Sequence, residues 1–157
     1  MTTILPFAIQ NSSEFSGDLY QRIQQQLLSF AQTYPVLGNL LIATEDGFEV
    51  AAILKEGDQD NIHKVAAMTS SLMGIGSAML NEIGAGKPKL LTLEGDSENI
   101  FLCQIAAPSL TLCLTAIVAA KEPLGQIFWL LRQLSSAIEA QCSAMPEAVS
   151  HEGEQYE

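Results

Sequence analysis

Gly84-Ala85-Gly86-Lys87 is the stretch of this chain nearest to a phosphate cradle. A loop of the form G-x-x-x-x-G-K-[ST] needs backbone amides around the phosphates, a lysine and a metal-binding hydroxyl. Here Asn81 stands where the first glycine belongs, Pro88 replaces the hydroxyl, and the stretch follows a helical pattern rather than a strand. The glycines suit the left-handed end of a helix instead, so the chain is not expected to bind GTP itself. Arg22 and Arg132, its only arginines, fall mid-helix, where long basic side chains cover apolar surface rather than act on a transferring phosphoryl group. His63, between Asn61 and Lys64, reads as a helix-surface histidine, and His151 lies near the C-terminus. Ser71 and Ser77 have no discernible base. Cys103, Cys113 and Cys142 are odd in number and lack metal-site spacing, which points to buried free thiols in a reducing compartment. Cys103 and Cys113 are near enough in sequence to meet across a hairpin, so a redox pair stands beside the reading as core thiols. Glu45, Asp46, Asp58 and Asp60 read as solvated turn residues without the spacing of a cation loop. The expectation is a protein with no catalytic residue, no metal and no cofactor.

Composition sets the outer bounds. With 157 residues, 48% of them apolar, the chain is expected to form one domain. Seven basic against eighteen acidic residues give a net charge of -11, which opposes attraction to nucleic acid or an anionic membrane surface. The N-terminus lacks the basic region and long apolar run of a secretory signal, so a cytoplasmic protein is expected. Ile100 to Ala120 carries no charge and is long enough to cross a bilayer. Gln104, Pro108, Ser109, Thr111 and Thr115 interrupt it, and Pro-Ser at its centre fits a turn between two strands better.

The elements that hold these residues follow from periodicity and breakers. Leu19, Ile23, Leu27 and Phe30 place a helix over Asp18–Tyr34, stopped before Pro35. Leu37–Thr44 and Phe48–Leu54 form a hairpin around Asp46-Gly47. After a polar loop, a second helix runs from Asp58 to Ile83. Strands follow at Lys89–Leu93, Ile100–Ala106 and Leu110–Ala119, and a third helix at Pro123–Cys142. Continuous apolar runs such as Leu40-Leu41-Ile42 require cover on both faces of the sheet, and the short connections require antiparallel pairing. The expected fold is an α/β sandwich, α+β in class and profilin-like: a five-stranded antiparallel sheet with one helix on one face and two on the other, in the order α-β-β-α-β-β-β-α. Residues 1–16 are expected to be a flexible extension, 17–143 the domain, and 144–157 an acidic disordered tail.

The second helix has two apolar faces. Ile62, Val65, Thr69, Leu72, Gly76, Met79 and Ile83 are spaced to sit on the sheet. The opposite stripe, Lys64, Met68, Ser71, Ile75, Ala78 and Glu82, is charged only at its ends, whereas a solvent-facing stripe carries several charges. Either another part of the chain covers it, such as the N-terminal segment, or a second molecule does. Gly74 and Ala78 add small surfaces that let a helix approach closely, although an interior glycine costs about 1 kcal/mol.

VLGNLLIATEDGFEVA in the first hairpin, VAAMTSSLMGIGSAMLNEIG in the second helix, and LTLCLTAIVA leading into KEPLGQIFWLLRQL stand in the order and spacing of the roadblock/light-chain family. From Asp18 to Glu139 the chain resembles that family. The resemblance implies dimers formed through the second helix and the edge strand after it, giving one continuous sheet across two subunits. It also implies either binding of small Ras-like GTPases or a place as a subunit of dynein or of GTPase-regulating scaffolds, and stand-alone bacterial members resemble regulators of a gliding-motility GTPase. Together with helical phase, it assigns self-association to Met68, Ser71, Gly74, Ile75, Ala78, Leu91 and Leu93, and the partner face to Asn61, Lys64 and Glu82. The function expected is a homodimeric, non-enzymatic regulator that binds such a GTPase and modulates its nucleotide cycle. The alternatives are a structural dimeric adaptor without effect on GTP turnover, and a sensory module holding a small ligand between sheet and helix. Fold analogy alone does not decide among them.

Overall fold

The computed structural model describes residues 2–4, 17–55 and 61–144. The expected N-terminal extension beyond residue 4, the start of the second helix at Asp58, and the acidic tail with His151 lie outside the described residues. The element order is β1 (Thr2–Ile4), α1 (Gly17–Thr33), a 3-10 turn (Pro35–Leu37), β2 (Asn39–Thr44), β3 (Glu49–Lys55), α2 (Ile62–Glu82), β4 (Leu90–Glu94), β5 (Glu98–Ala107), β6 (Leu110–Ala119) and α3 (Leu124–Ser143). The five expected strands pair antiparallel throughout, and β1 adds a short sixth at one edge against β3. The sheet order is β1-β3-β2-β6-β5-β4, so β4 forms the other edge. Ile100–Ala120, the charge-free stretch, is mainly the β5-β6 hairpin with Pro108-Ser109 at its turn. No helix of the described residues is long and apolar enough to cross a membrane.

The apolar runs in β2, β3 and β6 are buried on both faces. On one face α1 and α3 lie side by side, and Ile23, Leu27, Leu131, Leu134 and Ile138 meet Leu40, Ile42, Ile53, Phe101 and Leu114 in the main core. Phe101 and Phe128 meet edge to face, centroids 5.7 Å apart, a favoured aromatic geometry. On the other face α2 is the one helix among the described residues. Its cover comes in two small clusters, Ala66 with Leu41, Ala43, Ala52 and Leu54, and Met73 with Leu102 and Cys113.

Two turns depend on glycine. Gly47, at φ 88°, closes the β2-β3 hairpin as Asp-Gly predicts, and a Cβ there would stand 3.4 Å from Ala67 Cα on α2. Gly38, at φ 64°, lets the chain enter β2; a Cβ would sit 2.5 Å from the Ile117 carbonyl oxygen. Its φ also moves the start of β2 two residues past the expected Leu37, after the 3-10 turn that Pro35 opens.

Candidate interaction surface

Helix α2 sits on the sheet through a narrow strip. Ala66, Thr69 and Met73 are buried, and the Thr69 and Thr115 hydroxyls pair at 3.2 Å inside. The Ser70 hydroxyl donates to the Glu45 carbonyl, and His63 Nδ1 contacts Glu49 Oε1, tying the first half of the helix to the β2-β3 hairpin. Further along, Gly76 permits close approach to β4, since a Cβ there would lie 3.3 Å from a Leu91 methyl. The helix therefore runs from the β2-β3 side toward the β4 edge. Its final turn passes into a segment, residues 81–87, that is wholly exposed.

This path corrects the expected sheet-facing stripe. Val65, Thr69, Leu72 and Gly76 do face inward or toward β4, but Met79 is 67% and Ile83 76% exposed. The period was right and the sheet ends too soon: beyond Gly76 and Leu91 the edge strand leaves little for the last turns to cover. Ile62 begins α2, and its side chain lies outside the described residues. Met73, which neither stripe contained, is buried instead.

The opposite stripe is open. Met68 is 67% and Ile75 58% exposed; Ser71, Gly74 and Ala78 are exposed beside them. Among the described residues nothing lies within 4 Å of a Cβ placed on Gly74, and the Ser71 hydroxyl turns back to the Ala67 carbonyl at 3.2 Å. Ala67, Met68, Ser71, Leu72 and Ile75 line a shallow apolar groove of about 420 Å³. Leu91 packs beside Leu72 and Met73, and Leu93, two residues on, shares its face of the sheet and is 46% exposed. Among the described residues β4 pairs with β5 alone, so its outer edge presents unpaired backbone groups there. The structure thus joins all seven residues assigned to self-association on one face: a helix stripe, a groove and the adjoining free edge.

The residues assigned to the partner face are not brought together. Asn61 caps the start of α2 without a side-chain hydrogen bond, Lys64 is in its first turn and Glu82 in its last. All three are exposed, but at about 1.5 Å rise per residue Lys64 and Glu82 stand roughly 27 Å apart along the helix. They flank the apolar stripe rather than form a patch. Arg22, paired with Asp18 at 3.1 Å, and Arg132 are on α1 and α3, on the other side of the sheet.

Cys103 and Cys113 do not form the pair left open by their spacing. In the β5-β6 ladder Cys103 is opposite Leu114 and Cys113 opposite Gln104, so the two thiols project to different faces, Cys103 into the α1/α3 core and Cys113 into the α2 cluster. Burial pushes Cys113 up to about 12 and Cys103 up to about 11; for Cys103 the Ser135 hydroxyl and Arg132 guanidinium pull back in part. Burial raises Cys142 too, aided by Glu139. All three are free. Among the described residues no group of three or more His, Cys, Asp or Glu side chains could hold a metal ion.

One feature of the other face went unforeseen. A cavity of about 770 Å³ lies between the α2-β4 connection, β5 and α3, lined by Lys87, Lys89 and Arg132. Its only sequence signal was the Lys-Pro-Lys run after the glycines, which gave no hint that α3 would bring Arg132 alongside.

With this geometry in place, the sequence comparisons define the class. The Roadblock/LC7 domain model matches residues 23–116, more than half of the chain. The chain belongs to the Roadblock/LC7 family. Among solved structures it is similar to Myxococcus xanthus MglB, at 12% identity and a TM-score of 0.69 over 84% of this chain and 92% of that one. It is likewise similar to the gliding protein MglB of Thermus thermophilus, at 15% identity and a TM-score of 0.70 over 85% and 98%. An MglB described as having a tetrameric arrangement aligns at 15% identity and a TM-score of 0.71 over 85% and 97%. At such identities these likenesses speak for the fold alone. No curated protein matches the sequence significantly.

Proposed function

We propose that this chain is a cytoplasmic, non-enzymatic homodimer that binds a small Ras-like GTPase and modulates its nucleotide cycle. The observation that carries the proposal is the continuity of the exposed α2 stripe with the free β4 edge. Met68, Ile75, Met79 and Ile83 leave a large apolar face in water, and such faces mark association sites. An unpaired edge strand beside it offers main-chain hydrogen bonds to a second edge, so one twofold contact would bury the helix stripe and extend the sheet. Membership in the Roadblock/LC7 family supports the GTPase as partner, and the fold shared with MglB is compatible with it. Lys64 and Glu82, at the two ends of the helix, would contact that partner outside the apolar centre.

Regulation acts here by ordering the GTPase's own residues, because Arg22 and Arg132 lie on the face away from α2. The test is single-turnover GTP hydrolysis and nucleotide exchange by a Ras-like GTPase from the same organism, with wild type, Ile75→Glu and Arg22→Ala/Arg132→Ala. A change in either rate that Ile75→Glu abolishes and the arginine variant keeps is expected. Binding with no change in either rate would mean an adaptor, and loss of stimulation in the arginine variant with binding intact would refute regulation without a supplied arginine.

A further inference from the structure

The cavity of about 770 Å³ on the α3 side is separate from the α2 surface and is used by nothing described above. Its volume lies within the range of about 300–1,000 Å³ typical of small-ligand sites. Lys87, Lys89 and Arg132 line it, with no carboxylate among its lining residues. Only seven basic residues exist in a chain of net charge -11, so three of them here form a local positive field inside an otherwise negative surface. None of the three has an ion-pair partner among the described residues. Like charges held together without a counter-charge repel, and a bound dianion would relieve that repulsion.

The walls supply the rest of a ligand site. Ser135 and Ser136 add small polar side chains to its lining. Phe128 and Leu90 give an apolar surface on which the carbon part of a ligand can rest. Arginine binds phosphate through a planar fork and lysine as a point charge, and the cavity offers both from opposite sides, Lys87 and Lys89 from the connection into β4 and Arg132 from α3.

We propose that this cavity binds a soluble phosphorylated small molecule, with Arg132, Lys87 and Lys89 holding the phosphate. Calorimetric titration of the full chain with pyrophosphate and with glucose 6-phosphate, at low ionic strength, tests this. Saturable binding at one site per chain is expected, weakened about tenfold by Arg132→Gln and by Lys87→Gln/Lys89→Gln, the scale of one lost charge-assisted hydrogen bond. Lys121→Gln, a charge change elsewhere on the surface, leaves it intact. Circular dichroism melts verify that each variant is folded. Absence of binding by the wild type, or equal loss in Lys121→Gln, overturns the proposal. Flotation with vesicles bearing a phosphatidylinositol phosphate separates a lipid headgroup from a free phosphate: no recruitment is expected of so acidic a protein, and recruitment without binding of the soluble phosphates overturns the proposal. Because these residues lie across the sheet from α2, the mass of the wild-type assembly is expected in every variant.

Discussion

The two faces of the sheet are finished to different degrees. Under α1 and α3, large side chains interlock and Ile23, Leu27, Ile127, Leu134 and Ile138 have no solvent exposure. Under α2 the contact is two small clusters, Ala66 with Leu41, Ala43, Ala52 and Leu54, and Met73 with Leu102 and Cys113, while Met68, Ile75, Met79 and Ile83 face water. One face holds the fold together; the other spends its apolar residues on the outside. A single chain thus carries its packed core and its exposed apolar face on opposite sides of one sheet, so substitutions should separate folding stability from the proposed association.

Phe101→Ala breaks the finished face. Removing a fully buried ring that packs on Phe128 is expected to cost about 3–5 kcal/mol of folding stability, measured by urea denaturation, with no selective effect on association in the fraction that remains folded. Thr69→Val strikes the α2 interface with the sheet. It leaves the Thr115 hydroxyl without its partner, and a loss of about 1–3 kcal/mol is expected; a neutral result would show that the pair is not what seats α2.

Gly74→Ala sharpens the contrast most. Among the described residues no atom lies within 4 Å of the added methyl, so the monomer is expected to gain up to about 1 kcal/mol from helix propensity, while the methyl is expected to weaken a close helix-helix contact across Gly74. Monomer stability and dimer dissociation measured on the same variant should therefore move in opposite directions.

The smallest effect is alkaline. The folded-state pKa values of Cys103 and Cys113, about 11 and 12, lie above the ordinary 9.0. The unfolded chain therefore gives up these protons first as pH rises. Their contribution to stability is complete below about pH 9 and is lost progressively toward pH 11–12. Thermal melts should be flat in this respect from pH 7 to 8.5 and decline above, and Cys113→Ala should flatten that decline. At pH 8 a thiol reagent should label the folded chain far more slowly than the unfolded one.

The sequence revealed the order of helices and strands because their periods and breakers are local: Asp46-Gly47, Tyr34-Pro35, and the helical spacing of Leu19, Ile23 and Leu27. It revealed the exposed stripe because a charge-poor helix face is also a local pattern. Met79 and Ile83 were misplaced because their burial depends on where the sheet ends, a tertiary fact that no helical phase contains. The same is true of Cys103 and Cys113, whose faces are set by a one-residue offset in the β5-β6 register, and of Arg132, which reaches the Lys-Pro-Lys connection only once α3 has docked. The β1 strand escaped because three residues at an edge carry no usable period.

The central question is whether a second copy of the chain covers the open face of α2. Light scattering coupled to size-exclusion chromatography, on wild type and Ile75→Glu at matched concentrations, asks this most directly. A wild-type mass of two chains that falls to one in a variant with an unchanged circular dichroism spectrum is the predicted result. A wild-type monomer, or a dimer that Ile75→Glu leaves intact, would contradict it.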